Sequence, residues 1–137
     1  MPKKLLIVED DPDTVEMLRA ALTAADYTVY TARSGTEALS KAHASPPDLV
    51  LLDLILPEMN GFDVCERLRR DPMTESVPIL IVTAMPGELP RLAGKEAGAS
   101  AYIRKPFEIQ ELVSRIGQLL QCHSNPANAG QSQRLIA

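Results

Sequence analysis

Residues 48–57 read DLVLLDLILP. Val50, Leu51, Leu52, Leu54, Ile55 and Leu56 make this run apolar enough to be buried on both faces, as strands of a parallel sheet are. Asp53 stands in the middle of it. A carboxylate taken out of water without a partner is strongly disfavoured, so Asp53 must emerge at a strand end or meet a cation there.

Four more short runs rich in Val, Ile and Leu flank this one: LLIV (5–8), TVYT (28–31), PILIVTA (78–84) and AYIR (101–104). With DLVLLDL (48–54) they predict five strands. The segments between them carry helical spacing. Val15, Leu18 and Leu22 share a face, and Ser34-Gly35-Thr36-Glu37 forms a capping box before Ala38 and Leu39. Val64, Cys65 and Leu68 follow Gly61, and Leu89, Leu92 and Ala93 mark a weaker helix. Ile109, Leu112, Val113, Ile116, Leu119 and Leu120 make the clearest apolar stripe. Strand and helix alternate five times, which requires a parallel sheet with helices on both faces, an α/β fold. From Cys122 the sequence changes to CHSNPANAGQSQRLIA, poor in large apolar residues. The expected division is a domain over 1–121 and a flexible tail or the start of a linker over 122–137.

Open sheets of this kind bind ligands beyond the carboxyl ends of their strands, so those ends are where chemistry is sought. They carry Glu9, Asp10 and Asp11 after the first strand, Asp53 at the third, Thr83 at the fourth and Lys105 at the fifth. Carboxylates gathered at one rim repel each other and favour a cation. Hard oxygen donors suit Mg²⁺, which keeps several waters and takes one or two protein carboxylates plus a phosphate oxygen. Each residue has a plainer use: the acids as helix caps, Thr83 as a strand former, Lys105 as a surface charge. Four separate strand ends that together supply acids, a nucleophile, a hydroxyl and an ammonium outweigh those readings.

The bulk numbers exclude other classes. The chain of 137 residues fits one domain, with 45% hydrophobic and 23% charged residues and a net charge of −4. That charge argues against sequence-independent nucleic-acid binding. Two cysteines, Cys65 and Cys122, form no disulfide framework, and the N-terminal LLIV meets acids too soon for a signal peptide. No run is long enough to span a membrane. A cytoplasmic location is expected. There is no GxxxxGK[ST] loop and no GxGxxG after a strand. His43 and His123 are isolated surface residues without metal-ligand spacing, and Ser34 and Ser45 lack a plausible histidine base, so a hydrolytic triad is not expected.

At these residues the sequence resembles the response-regulator receiver domain of bacterial two-component signalling, over about residues 4–121. LLIVEDD is similar to the family's first strand and acidic pair, DLILPEMNG to its phosphoacceptor strand and loop, IVTA to its switch strand, and YIRKPF to its closing strand. The resemblance implies a flavodoxin-like, doubly wound sheet of order 2-1-3-4-5. It implies that Asp53 accepts a phosphoryl group from a sensor histidine kinase or histidine phosphotransfer protein. Glu9, Asp10, Asp53 and the backbone carbonyl of Ile55 would hold Mg²⁺, with Asp11 beside them. Thr83 and Lys105 would bind phosphoryl oxygens, Tyr102 would be the switch aromatic, and the Lys105–Pro106 bond would be cis. The output partner, a protein or domain, would bind the face formed by residues 87–121, with no nucleic acid or membrane bound directly.

Two departures stand out. Ile55 and Met85 occupy the places where family members tune hydrolysis, and neither can orient a water, so a long-lived phospho-Asp53 is expected. In the family branch with winged-helix DNA-binding domains, dimers use charged pairs across the last helix, strand and helix. Arg91 and Glu111 match one pair. Arg115 faces Ala101, and Ala97 and Gly117 replace another pair, so a monomer or weak phosphorylation-dependent dimer is expected. Two other classes compete. A phosphatase of the haloacid dehalogenase type needs a second Asp where Ile55 stands. An interaction module that takes no phosphate would have little use for the full set Glu9, Asp10, Asp53, Thr83 and Lys105.

Overall fold

The computed structural model describes residues 2–124. Five strands and five helices alternate: β1 Lys4–Val8, α1 Pro12–Ala24, β2 Thr28–Ala32, α2 Gly35–Ala44, β3 Leu49–Leu52, α3 Gly61–Arg70, β4 Ile79–Thr83, α4 Leu89–Ala97, β5 Ala101–Arg104 and α5 Ile109–Ser124. All strand pairs are parallel and the order is β2-β1-β3-β4-β5, the doubly wound arrangement that the resemblance implied.

Alternation along each buried strand sorts the core into two clusters, one per face of the sheet. Leu6, Val8, Val50, Leu52, Ile79 and Ile81 pack with Ala38 and Ala42 of α2, Val64, Cys65 and Leu68 of α3, and Ala97 of α4. Leu5, Ile7, Leu49, Leu51, Leu80, Val82 and Ile103 pack on the other face with Leu18 and Leu22 of α1 and Leu112, Ile116, Leu119 and Leu120 of α5. Each fully buried Leu or Ile contributes about 1.5–3 kcal/mol, and β1, β3 and β4, buried along nearly their whole length, anchor both clusters.

Helix starts follow local chemistry. The Ser34 hydroxyl accepts from the Glu37 N–H at 3.2 Å. The Glu37 carboxylate reaches the Arg33 N–H at 2.7 Å rather than the Ser34 N–H, so the box closes one residue further back than the motif suggests. Asn60 caps α3 by accepting from Asp63 N–H at 3.0 Å.

Three expectations need correction. The apolar run 48–54 contributes only Leu49–Leu52 to the ladder. The Asp48 carboxylate instead accepts the Lys4 N–H at 2.7 Å, and Leu54 leaves the sheet to accept the Gly61 N–H at 2.9 Å. Leu89 and Leu92 of α4 are 78% and 45% exposed, because its core face is the small one made by Pro90, Gly94 and Ala97. Finally, α5 runs to Ser124, past the expected boundary at 121. The tail reading for 125–137 lies outside the described residues. His43 is a surface residue as expected, although its ring nitrogen lies 2.6 Å from Asp71. The side chain of His123 is outside the described set.

Candidate functional site

The strand order reverses between β1 and β3, and the site opens there. Val8 and Leu52 are register partners, so Glu9 and Asp53 leave the sheet side by side. The Asp53 N–H still donates to the Val8 carbonyl at 3.0 Å, and the Glu9 N–H to the Ala32 carbonyl at 3.0 Å. Both side chains are buried, at 5% and 7% exposure. On the far side of β3, Thr83 closes β4, and its carbonyl accepts the Lys105 N–H at 2.8 Å. The Lys105–Pro106 bond is cis.

The Lys105 ammonium donates to Glu9 Oε1 at 2.7 Å and to Asp53 Oδ2 at 3.0 Å. The other oxygens are held by backbone: Ile55 N–H donates to Asp53 Oδ1 at 3.0 Å, and Asp11 N–H to Glu9 Oε2 at 3.1 Å. One cation thus meets two carboxylates. Burial pushes the Glu9 carboxyl above the usual range in spite of the Lys105 hydrogen bond, and the Asp53 charge adds to the rise. Burial also opposes the Lys105 charge, but the bonds to Glu9 and Asp53 outweigh it and hold the ammonium above its ordinary value.

Asp10 and Asp11 are exposed. Asp11 is the N-cap of α1, its carboxylate accepting from Thr14 N–H at 3.1 Å and Thr14 hydroxyl at 2.6 Å, and these bonds hold its pKa below the ordinary value. Among the described residues no three His, Cys, Asp or Glu side chains already converge on one metal position. Glu9 and Asp53 are instead drawn onto Lys105, while Asp10 faces water. Magnesium needs only one or two protein carboxylates, its other places being filled by water, carbonyl or phosphate oxygen. Two hard carboxylates that share a single ammonium, one of them resisting ionisation, are a donor set suited to such an ion.

Thr83 and Tyr102 are joined through one residue. The fully buried Thr83 hydroxyl accepts the Met85 N–H at 3.3 Å, and the half-buried Tyr102 hydroxyl donates to the Met85 carbonyl at 3.4 Å. The partly buried Tyr102 ring packs on the cluster that α2, α3 and α4 share with the sheet. The side chain of Ile55 is 58% exposed beside the carboxylates.

Two positioning residues were not legible beforehand. Gly61 sits where a Cβ would be 2.5 Å from the Asp53 carbonyl oxygen and 2.6 Å from the Leu54 Cα, so only glycine lets α3 start this close to the site. Glu58, in the loop between them, has a φ of +69°. Its left-handed backbone could not be read from a residue type that seldom adopts it.

Residues 5–117 match the family described as the response regulator receiver domain, and the chain belongs to that family. It is therefore a signalling domain of two-component response regulators. The chain is 40% identical over 119 residues to the response regulator PleD of Caulobacter vibrioides, a stretch that covers 87% of this chain and 26% of PleD. It thus spans about a quarter of that relative's length. Among solved structures, the BeF3-activated N-terminal receiver domain of Klebsiella pneumoniae RstA is 32% identical with a TM-score of 0.81, covering 86% of this chain and 98% of that one. The receiver domain of the Pseudomonas aeruginosa sensor histidine kinase PA1611, with magnesium in its active-site cleft, is 27% identical with a TM-score of 0.83, covering 88% of this chain and 99% of that one. No helix among the described residues is long and apolar enough to cross a membrane.

Proposed function

We propose that Asp53 is the phosphoacceptor, and that it takes its phosphoryl group from the phosphohistidine of a sensor histidine kinase or a histidine phosphotransfer protein. The observation that carries this is the buried Asp53 carboxylate held 3.0 Å from Lys105 Nζ at the mouth of the β1–β3 crevice. Glu9, Asp10, Asp53 and the Ile55 carbonyl would hold Mg²⁺. When bound, the ion neutralises charge on the phosphoryl oxygens, as divalent ions do in phosphoryl transfer generally.

The protein's own part is positioning. An Asp53 carboxylate oxygen forms the new P–O bond as the P–N bond to the donor imidazole breaks. The carboxylate brings no proton, so no general base is needed. Lys105 stays close enough to bind a phosphoryl oxygen. The Thr83 hydroxyl can donate to another, and since Met85 N–H leans on that hydroxyl, its movement is passed to Met85 and so to Tyr102. Phosphorylation then acts as a local charge change that biases the face of α4, β5 and α5, where an output protein or domain would dock. That face carries the exposed Leu89 and Leu92, while Arg91 pairs with Glu88 on its own helix at 3.0 Å. A monomer or weak phosphorylation-dependent dimer working in the cytoplasm, without direct nucleic-acid or membrane binding, completes the reading. The unit is residues 1–121, extended by the last turn of α5.

The test is incubation with Mg²⁺ and acetyl phosphate followed by intact mass. Wild type gains one phosphoryl group, and Asp53→Ala gains none. Equal uptake by the two proteins would refute the assignment. Autodephosphorylation is slow because Ile55 and Met85 present no group to orient water. The double variant Ile55→Asn, Met85→Glu accelerates it by about ten- to a hundred-fold, at or below the lower end of general acid–base effects.

A further inference from the structure

The end of the sheet opposite Asp53 holds a second charged group that the signalling chemistry does not use. Arg69, one residue from the end of α3, is half-buried, and no carboxylate among the described residues lies within ion-pair distance of it. Its donors go to backbone and one hydroxyl instead. Nε donates to the Gly98 carbonyl at 2.9 Å, one terminal nitrogen to the carbonyls of Glu75 at 3.1 Å and Val77 at 2.5 Å, and the other to the Ser100 hydroxyl at 3.4 Å. Ser100 Oγ also accepts the Ile79 N–H at 3.1 Å. One side chain thereby ties together the end of α3, the connector before β4, the end of α4 and the entry to β5. A guanidinium is suited to this because its five donors stand in a rigid fork and it is always charged.

Its grip on α4 is specific. Gly98 has a φ of +108°, Gly98 N–H donates to the Lys95 carbonyl at 3.1 Å and Ala99 N–H to the Gly94 carbonyl at 2.9 Å, the paired closure of a helix C-terminus. The Gly98 carbonyl then presents its oxygen to Arg69, at the helix end where a cation is favoured. A Cβ on Gly98 would meet Arg69 Cγ at 2.7 Å. The arginine stem therefore lies flush on the glycine. The other end of α4 is built differently. Up to the buried Pro90 it is open: Glu88 makes no side-chain cap bond, Leu89 is 78% exposed, and nothing lies within 4 Å of where a Cβ on Gly87 would stand.

We propose that Arg69 is a positioning residue that anchors the C-terminal end of α4, so that a change at the Asp53 rim is delivered to the open start of the helix, residues 87–89, and not to residues 97–100. The delivery half rests on Asp53 being the phosphoacceptor; the anchor half stands without it. Met85, which links Thr83 to Tyr102, lies just before that open turn, so a displacement there reaches α4 at the end that is free to respond.

The test is residue-resolved amide hydrogen exchange on the whole chain as wild type, Arg69→Met and Arg69→Lys. Each is measured before and after acetyl phosphate with Mg²⁺, with phosphoryl occupancy read by intact mass. Methionine keeps much of the stem against Gly98 and removes every donor. In unphosphorylated Arg69→Met, exchange at Gly98, Ala99 and Ser100 rises at least about tenfold, the ratio expected for losing one charge-assisted hydrogen bond, while exchange in β1 and β3 is unchanged. Arg69→Lys shows a smaller rise at the same residues, and it carries the comparison if the methionine variant fails to fold. Phosphorylation of wild type alters exchange at 87–89 and leaves 97–100 alone; in Arg69→Met the change spreads through 97–100 at undiminished phosphoryl occupancy. Unchanged exchange at 98–100 in both variants overturns the anchor. A phosphorylated wild type that changes as much at 97–100 as at 87–89 overturns delivery to the open end. A wild type that takes up no phosphoryl group removes the phosphoacceptor reading and the delivery with it, and the unphosphorylated comparison still decides the anchor.

Discussion

The two ends of the sheet compensate buried charge in opposite ways. At the carboxyl rim, Glu9 and Asp53 share the single ammonium of Lys105, leaving more negative charge than positive. At the other end, the Arg69 guanidinium has no carboxylate partner among the described residues and is satisfied by carbonyl dipoles and a hydroxyl. A surplus of like charge is an invitation to a further cation and to chemistry at that point. A cation dispersed over several rigid backbone groups has no such vacancy, and it stays put. The difference separates a reactive end from a fixed one, and α3 runs between them, starting against the Asp53 carbonyl at Gly61 and ending at the Arg69 clasp.

The sharpest way to break the comparison is to remove the rim cation. Lys105→Met leaves two buried carboxylates facing each other and lowers stability by about 2–3 kcal/mol in EDTA, at or just below the lower end of the range for orphaned buried charges because the lysine is partly exposed. Millimolar Mg²⁺ returns much of that loss and raises the melting temperature of the variant more than that of wild type. Thermal unfolding with and without the metal checks this; a variant as stable as wild type in EDTA would show that the rim carries no surplus charge.

Thiol labelling tests whether α3 stays seated. Burial pushes the Cys65 thiol up from 9.0 to about 11. At pH 8.5 its thiolate is therefore about a hundred-fold scarcer than in the unfolded chain, and modification is slower by at least that factor, with or without phosphorylation. Because the folded pKa is the raised one, this group contributes stability that is full below about pH 9 and is lost as pH rises towards 11. Fast labelling of Cys65 in a Cys122→Ser background would contradict the rigid-strut picture.

Gly61→Ala attacks the strut at its reactive end. The new Cβ must push on backbone atoms of Asp53 and Leu54, which costs about 2 kcal/mol and slows phosphorylation by displacing the acceptor. At the fixed end, Thr74→Val removes the buried hydroxyl that donates to the Leu68 carbonyl at 2.7 Å, and costs about 1 kcal/mol. Its phosphorylation rate matches wild type. Urea melts paired with acetyl-phosphate kinetics separate the two variants, and a slowed Thr74→Val would blur the distinction between the ends.

Much of this was legible in the sequence, for a physical reason. Strands buried on both faces must be nearly all Val, Ile and Leu, so Asp53, the acid inside the apolar run of DLVLLDLILP, announced itself, and strand ends are fixed in place by the fold class. What could not be read was anything decided by contact across long separations. Arg69 in ERLRR looks like any surface charge until Gly98 and Ser100 arrive beside it. Leu89 and Leu92 marked the helix but not its orientation: Ile81 approaches so close to Gly94 that the small face of α4 packs inward and the leucines face out. Asp11 could have been a metal neighbour or a cap, and only the bonds from Thr14 show it capping α1.

The sheet also acts as a partition. Because Leu5 and Ile7 point to α1 and α5 while Leu6 and Val8 point to α2, α3 and α4, the two sides of the molecule share strands but hardly any side-chain contacts. Each half can drift, or be transplanted from a relative, with little repacking of the other, so the surface around α1 is free to diversify independently of the one that carries the Arg69 clasp.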